Sequence, residues 1–312
     1  MAMTDGAAEQ TAAGTPDACI VLNTRSGKRG EAAHDQLEAA MARHPGRFAL
    51  RVVPKRGSPA SEAERAAAEG FATLVAAGGD GTICAVAGVA HARGLRLGVV
   101  PMGTFNYFAR GLGMPEGADA ALDVVARGVT RPVHLGFVNG KVFLNNASLG
   151  LYPAILANRE GTYKRWGRSR LAAHWSVLST VLRFRRPVRL RVTVDGRSLG
   201  RRTPLVFVAR SAYQLEQFGL EGAEDVRAGR FGLFLAPDVG RWGLLRFAVR
   251  LAARSMARGR DFDYVSGREI DVETKARRRL VARDGERESM TQPFRFRMSD
   301  APLAVIAPEG ED

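Results

Sequence analysis

The stretch Thr73-Leu-Val-Ala-Ala-Gly-Gly-Asp-Gly-Thr82, running directly into Ile83-Cys-Ala-Val-Ala-Gly-Val-Ala90, decides how this chain is read. Its apolar run has the length of a buried parallel strand and stops at Gly78-Gly79, and a helix-like apolar pattern starts at Ile83. A strand, a glycine-rich turn and a helix N-terminus together make an anion site, because the first amides of a helix lack internal partners and point outward. Glycine lets the backbone take positive φ and come close to a ligand. Asp80 then places a carboxylate where phosphate should bind, which makes chemical sense only with a divalent cation between them. The loop is not a Walker A loop, since no Gly-Lys-Ser/Thr follows, and its glycines are not spaced as in the dinucleotide fingerprint. Taken alone it is no more than a strand-to-helix turn; its surroundings give it weight.

Working outward, Cys19-Ile-Val-Leu22 reads as a short strand, and Asn23-Thr-Arg-Ser-Gly27 turns out of it. Glu31 to Arg43 has helical spacing and is stopped by Pro45-Gly46. Phe48 to Val53 is the next strand. Ser58-Pro59 starts a helix running to Gly70, with Ser61 and Glu64 spaced as a capping box. After the central stretch come a strand at Leu95 to Val100, the loop Pro101-Met-Gly-Thr-Phe-Asn106 and a helix over Ala118 to Arg127. Strands alternating with helices predict a parallel sheet with helices on both faces, and ligands in such sheets bind beyond the carboxyl ends of the strands. Asn23 to Gly27, Gly78 to Thr82 and Gly103 to Asn106 all fall at that edge.

Near residue 133 the pattern changes. His134 to Val138 and Lys141 to Leu144 flank Asn139-Gly140, a type I′ hairpin signal. Val188, Leu190, Val192 and Val194 alternate with Arg189, Arg191 and Thr193 before Asp195-Gly196 turns the chain back. Further strand-like runs follow at Leu205 to Ala209, Phe231 to Ala236, Glu269 to Thr274, Leu280 to Ala282, Phe294 to Arg297 and Leu303 to Ile306. The second half therefore reads as a mostly antiparallel β domain packed directly on the first. The division expected is a disordered leader over 1–17, an α/β domain over 18–132 rejoined by 300–312, and a β-rich domain over 133–299.

The 312 residues suffice for about two domains, and 46% hydrophobic with 25% charged residues is ordinary for a globular chain. A formal net charge of +14 is not ordinary and favours anionic partners: nucleic acid, nucleotide phosphates or an acidic membrane surface. Two cysteines give no disulfide framework, and a reducing cytoplasm is the simplest compartment. No signal peptide or membrane-spanning run is evident. The five histidines show no metal-ligand spacing, no Gly-x-Ser-x-Gly motif is present, and no nucleic-acid-binding motif accompanies the charge, so nucleic acid is not expected as a partner. Two basic segments stand out. Arg246, Arg250, Arg254 and Arg258 recur every four residues, one stripe if helical, and Tyr163 to Arg186 mixes seven Lys and Arg with Trp166, Trp175, Leu178 and Phe184. Each reads either as a core-packed helix with a solvated arginine face or as a surface for an anionic bilayer, where each basic residue adds about 1 kcal/mol.

Asp284-Gly-Glu286 is the second acidic motif. On its own it is a hairpin turn; beside a phosphate site it supplies a candidate base, because an alcohol attacking a phosphoryl group must lose a proton. Together, Asn23-Thr-Arg-Ser-Gly27, Gly78-Gly-Asp-Gly-Thr82, Pro101-Met-Gly-Thr-Phe-Asn106, Asn145-Asn-Ala-Ser-Leu-Gly150 and Asp284-Gly-Glu286 resemble, in order, the diacylglycerol kinase catalytic-domain family, which includes sphingosine, ceramide and soluble bacterial lipid kinases. The resemblance implies an ATP-binding α/β domain, a β-sandwich second domain, a last strand returning to the first, and Mg²⁺-dependent phosphorylation of a lipid hydroxyl. It assigns nucleotide binding to Asn23, Thr24, Arg25, Ser26, Gly27, Gly78, Gly79, Gly81, Thr82, Gly103, Thr104 and Asn106. Asp80 would sit at the metal and γ-phosphate, and Asp284 and Glu286 would orient or deprotonate the lipid hydroxyl.

Some positions depart from that family. Tyr107 follows Asn106 where aspartate is usual, Thr24 replaces a proline, Arg210-Ser211 stands where an asparagine pair is common, and Ala228-Gly229 lacks the aspartate that often precedes this glycine. The expectation is a cytoplasmic, peripherally membrane-associated kinase acting on diacylglycerol or a related lipid alcohol at an anionic surface. A homodimer is left open. The rival readings are an NAD-kinase-like enzyme with a soluble substrate and a non-catalytic lipid- or nucleotide-binding homologue.

Overall fold

The computed structural model describes residues 16–24, 30–151, 153 and 187–309. The first half is built on a six-stranded sheet. Strands β1 (Ala18–Leu22), β2 (Phe48–Val52), β3 (Thr73–Gly78), β4 (Arg96–Pro101), β5 (Thr130–Val133) and β18 (Leu303–Ile306) lie in the order β2-β1-β3-β4-β18-β5. All neighbours are parallel except β18 and β5, so the last strand of the chain is inserted between β4 and β5. β1 and β3 are buried along their whole length, as continuous apolar runs covered on both faces must be. Helices α1 (Gly30–Met41), α2 (Pro59–Ala68), α3 (Asp80–Arg93), α4 (Tyr107–Gly111) and α5 (Ala118–Arg127) complete this half.

Two further six-stranded sheets make up the rest. β6 (Gly136–Val138), β7 (Lys141–Phe143), β9 (Val188–Val194), β10 (Arg197–Thr203), β14 (Ile270–Thr274) and β17 (Phe294–Met298) form one, in the order β10-β9-β14-β17-β6-β7. β8 (Asn146–Gly150), β11 (Leu205–Ala209), β12 (Phe231–Leu235), β13 (Asp263–Gly267), β15 (Arg278–Arg283) and β16 (Glu286–Thr291) form the other, in the order β13-β12-β11-β8-β15-β16. Every pairing in both is antiparallel. Their inner faces share one core, in which Phe143, Phe231, Phe294 and Phe296 are fully buried beside Leu190, Val192 and Val208. This is an α/β sheet joined to an antiparallel sandwich. Helices α6 (Ala212–Phe218), α7 (Ala223–Arg227) and α8 (Arg241–Ala252) lie on the sandwich half.

Several local expectations are corrected. Helix α3 starts at Asp80 with Gly79 as N-cap, three residues before its apolar pattern, because its first turn faces a cleft rather than the core. The capping box of α2 is the pair Ser58 and Ser61, each side chain bonded to the other's amide, and Ser61 with Glu64 forms none. The four-residue arginine repeat does not form one stripe. Helix α8 ends at Ala252, Arg254 takes positive φ, and Arg258 lies beyond over the ring of Tyr264. The basic segment Tyr163 to Arg186 and most of the expected leader lie outside the described residues.

Candidate active site

The carboxyl ends of β1, β3 and β4 open into a cavity of about 680 Å³ lined by Asn23, Gly79 to Thr82, Gly103 to Phe105, the start of α2 at Gly57 to Ala60, Asp284 and Glu286. The turns are pressed together. Met102 N donates to Gly78 O at 2.9 Å, and Asn23 Nδ2 donates to Thr82 Oγ1 at 3.0 Å. A methyl group on Gly103 would stand 2.5 Å from Gly79 Cα and 2.6 Å from Asn106 Oδ1, distances no packed structure tolerates. Glycine at 103 is therefore demanded by contact between turns. Asn106 itself takes positive φ, and its amide closes on Gly103, accepting from N at 2.9 Å and donating to O at 3.1 Å. The N-terminus of the 14-residue α3 has no side-chain cap, so its first amides and the positive end of its dipole face the cavity.

Three carboxylates meet this space in different ways. Asp80 Oδ1 accepts from Phe108 N at 3.3 Å and from Asn145 Nδ2 at 3.2 Å, tying α3 to α4 and to the sandwich half. Burial raises its pKa above the ordinary aspartate value, and these bonds offset only part of that. Asp284 occupies the first position of a tight turn with Gly285, both at positive φ, joining β15 to β16. Its Oδ2 accepts from Leu144 N at 2.6 Å, and its Oδ1 accepts from Asn145 N at 2.8 Å and Asn146 N at 3.1 Å. Burial pushes the Asp284 carboxyl up against the pull of those three amides. Glu286 is exposed, and its Oε1 stands 3.4 Å from where a Cβ on Gly81 would lie, directly across from the α3 N-terminus.

Among the residues singled out by sequence, Asn23, Gly79, Asp80, Gly81, Thr82, Gly103, Thr104, Asp284 and Glu286 line one cavity. Gly78 and Asn106 lie beneath it as fasteners; a Cβ on Gly78 would meet Thr82 Cβ at 2.7 Å. Thr24 is not part of the lining, and Arg25, Ser26 and Gly27 lie outside the described residues. Sequence reasoning missed Gly57 to Ala60, whose signal was the Ser58-Pro59 helix start, and Phe105 lines the cavity as part of the Gly103 to Asn106 loop. Asn145, whose motif by itself implies no role, touches both Asp80 and Asp284, and its buried Oδ1 has no partner among the described residues. Tyr107 stacks on Phe105 with centroids 5.5 Å apart and meets Phe218 edge-on, so an aromatic wall occupies the place of the missing aspartate.

An α/β sheet whose turns gather glycines, a helix N-terminus and carboxylates, set on an antiparallel sandwich, defines a phosphate-handling two-part protein. Residues 17–138 match the diacylglycerol kinase catalytic domain, and residues 152–307 match the YegS C-terminal NAD kinase beta sandwich-like domain. The chain belongs to the diacylglycerol kinase catalytic-domain family. A Pseudomonas aeruginosa protein described as "Probable lipid kinase YegS-like" is 43% identical over 140 residues, which is 43% of this chain and 46% of that protein. A Staphylococcus aureus diacylglycerol kinase is 44% identical over 98 residues, 31% of each chain. The matched stretches thus span less than half the length of these relatives. The solved structure of a diacylglycerol kinase from Bacillus anthracis superposes with a TM-score of 0.66 over 93% of this chain and 96% of its own, at 17% identity, a likeness of fold.

Proposed function

We propose that this protein is an ATP- and Mg²⁺-dependent kinase that phosphorylates the hydroxyl of diacylglycerol or a related lipid alcohol at an anionic membrane surface. The observation that carries the reading is the uncapped α3 N-terminus facing a cavity with Asp80 and Glu286 at its edge. The cavity is large enough for a nucleotide, at about 680 Å³ within the usual range of ligand sites. The turns at Asn23, Gly79 to Thr82, and Gly103 to Thr104 hold the triphosphate by backbone amides. Among the described residues no three His, Cys, Asp or Glu side chains gather to hold a metal by themselves. Asp80 and Glu286 offer hard oxygen donors, which suits Mg²⁺, an ion held by one or two carboxylates together with substrate phosphates. When bound, it would neutralise charge on the phosphates.

In this reading Asp284 is a positioning residue, because its carboxylate already accepts three backbone amides. Glu286 and Asp80 are left to take the proton of the attacking hydroxyl while the new O–P bond forms and the bond to the β-phosphate oxygen breaks. The nucleotide domain comprises 18–132 with 300–312, and the lipid domain 133–299. Among the described residues no helix is long and apolar enough to cross a membrane. The membrane-facing surface includes α8, where Trp242 is 72% exposed and Val249 61% exposed, with exposed Arg246 on the same face. Measuring radiolabelled phosphate transfer from ATP across a lipid panel and to NAD tests the function. Transfer to NAD alone, or to nothing, would sink it. A second reading, ATP binding without turnover, is favoured by one feature, the Tyr107 ring stacked where the family has a carboxylate; ATP bound with no turnover on any lipid would support it.

A further inference from the structure

A second cavity of about 290 Å³ opens between α4 and the corner where β11 leads into α6, and it shares no lining residue with the first. Arg210, immediately after β11, is its centre. The backbone N of Arg210 donates to Asn145 O at 2.8 Å, which brings the side chain back toward the α/β half. There Nη2 donates to His134 O at 2.6 Å. The Nε–H is buried without any partner, and among the described residues no carboxylate pairs with this guanidinium. The neighbouring cations are compensated. Arg110 is paired with Glu116 at 2.6 Å, and Arg227 is paired with Glu216. Arg210, half-buried, is the cation here that no carboxylate among the described residues matches, and burial pushes its pKa down.

An arginine stays protonated in proteins, so the cavity keeps its positive charge. Burying an ion without a counter-ion is unfavourable, and an anion seated against it offsets that cost. The guanidinium fork matches the oxygens of phosphate. The space is less than half that of the nucleotide cavity, a size that suits a phosphate group.

We propose that this cavity binds a phosphate group, seated on Arg210 with Arg110 and Arg227 at its rim, as a site separate from the nucleotide cavity. The ligand is one residue removed from the proposed catalytic centre, since Asn145, which accepts the amides of Arg210 and Ser211, also holds Asp80. Its source is either free phosphate or the headgroup of an anionic lipid.

The test uses the full chain labelled with ¹⁵N at arginine Nε. The Arg210 signal is assigned by its loss in Arg210→Lys. Inorganic phosphate, titrated against sodium chloride of equal ionic strength, should shift that signal saturably, and a short-chain phosphatidic acid below its micelle concentration forms the second arm. A shift with phosphate alone supports a soluble ligand, and a shift with both supports a lipid headgroup as well. No shift in either arm overturns the proposal. Arg210→Met gives an independent reading by thermal unfolding. In phosphate-free buffer it should match or exceed the wild type, and it should lose the phosphate-dependent rise in Tm. If it lowers Tm equally with and without phosphate, Arg210 is only a tether to His134 and the site does not exist.

Discussion

Replacing Asp284 by Asn separates a fastener from a base. The carboxylate accepts one amide on Oδ2, from Leu144, and two on Oδ1, from Asn145 and Asn146. An amide side chain offers one acceptor oxygen, so the favoured orientation keeps the Asn145 and Asn146 bonds and turns an NH₂ toward the Leu144 N–H. The bond lost outright was charge-assisted and contributed about 2 kcal/mol, and the two that remain weaken by about 1 kcal/mol each. Burial raises the Asp284 pKa, so relief of the ionised group returns about 1 kcal/mol, but an amide nitrogen, unlike either carboxyl oxygen, cannot accept the Leu144 N–H. The net loss is about 3 kcal/mol, or on the order of 5–10 °C in Tm for a chain of this size. Thermal unfolding followed by circular dichroism at neutral pH reads it directly. A variant that melts with the wild type yet transfers no phosphate would refute the reasoning, and Asp284 would then be the base.

Other tests address the remaining contacts. Asp80→Asn should cut phosphate transfer at least about a hundredfold. Its folded-state pKa is raised, so the folded protein holds the extra proton, and wild-type stability falls as pH rises from the ordinary value of 3.8 through the raised one. The Asn variant should therefore be as stable as the wild type or more so at neutral pH, with the margin vanishing below 3.8, as pH-dependent melting will show. Gly103→Ala should weaken ATP binding at least about tenfold by calorimetry with the far-ultraviolet spectrum unchanged, since the methyl must push two turns apart; equal affinity would disprove that contact. Arg250→Glu should cost about 1–3 kcal/mol by thermal unfolding, because Asp261, a side chain only 5% exposed, loses one of its two arginine partners and keeps Arg260 and the Ala257 amide; an unchanged Tm would show that the Arg250 pair adds nothing. By contrast, Trp242→Ala with Arg246→Glu should leave Tm unchanged and reduce sedimentation with anionic vesicles; undiminished sedimentation would remove α8 from the docking surface.

The arginine repeat shows where a periodic reading goes astray. Spacing of four residues places side chains on one face only while the helix lasts, and α8 ends at Ala252. Past that point Arg254 turns the chain at positive φ and Arg258 covers Tyr264, so two members of the stripe serve other contacts. Helix α3 errs the other way. Its first turn carries Asp80, Gly81 and Thr82, chosen for the cavity and not for the core, so the apolar pattern starts late. Strand β8 has no alternation to read, because Asn146 and Ser148 are as buried as Ala147 and Leu149 in the centre of its sheet.

The chain's own order of residues determined the apolar strands of the α/β sheet, their alternation with helices, and the three turns at one edge, because apolar periodicity and glycine act over a few residues. It determined the family for the same reason, through short motifs that keep their order. Tertiary structure alone decided what those residues do to one another. Asp284 meets Leu144, Asn145 and Asn146 across about 140 positions, Asn145 reaches Asp80, and among the described residues no carboxylate balances Arg210. Hydrogen bonds and burial belong to positions in space, and two sheets folded against a third bring together groups that no local pattern connects.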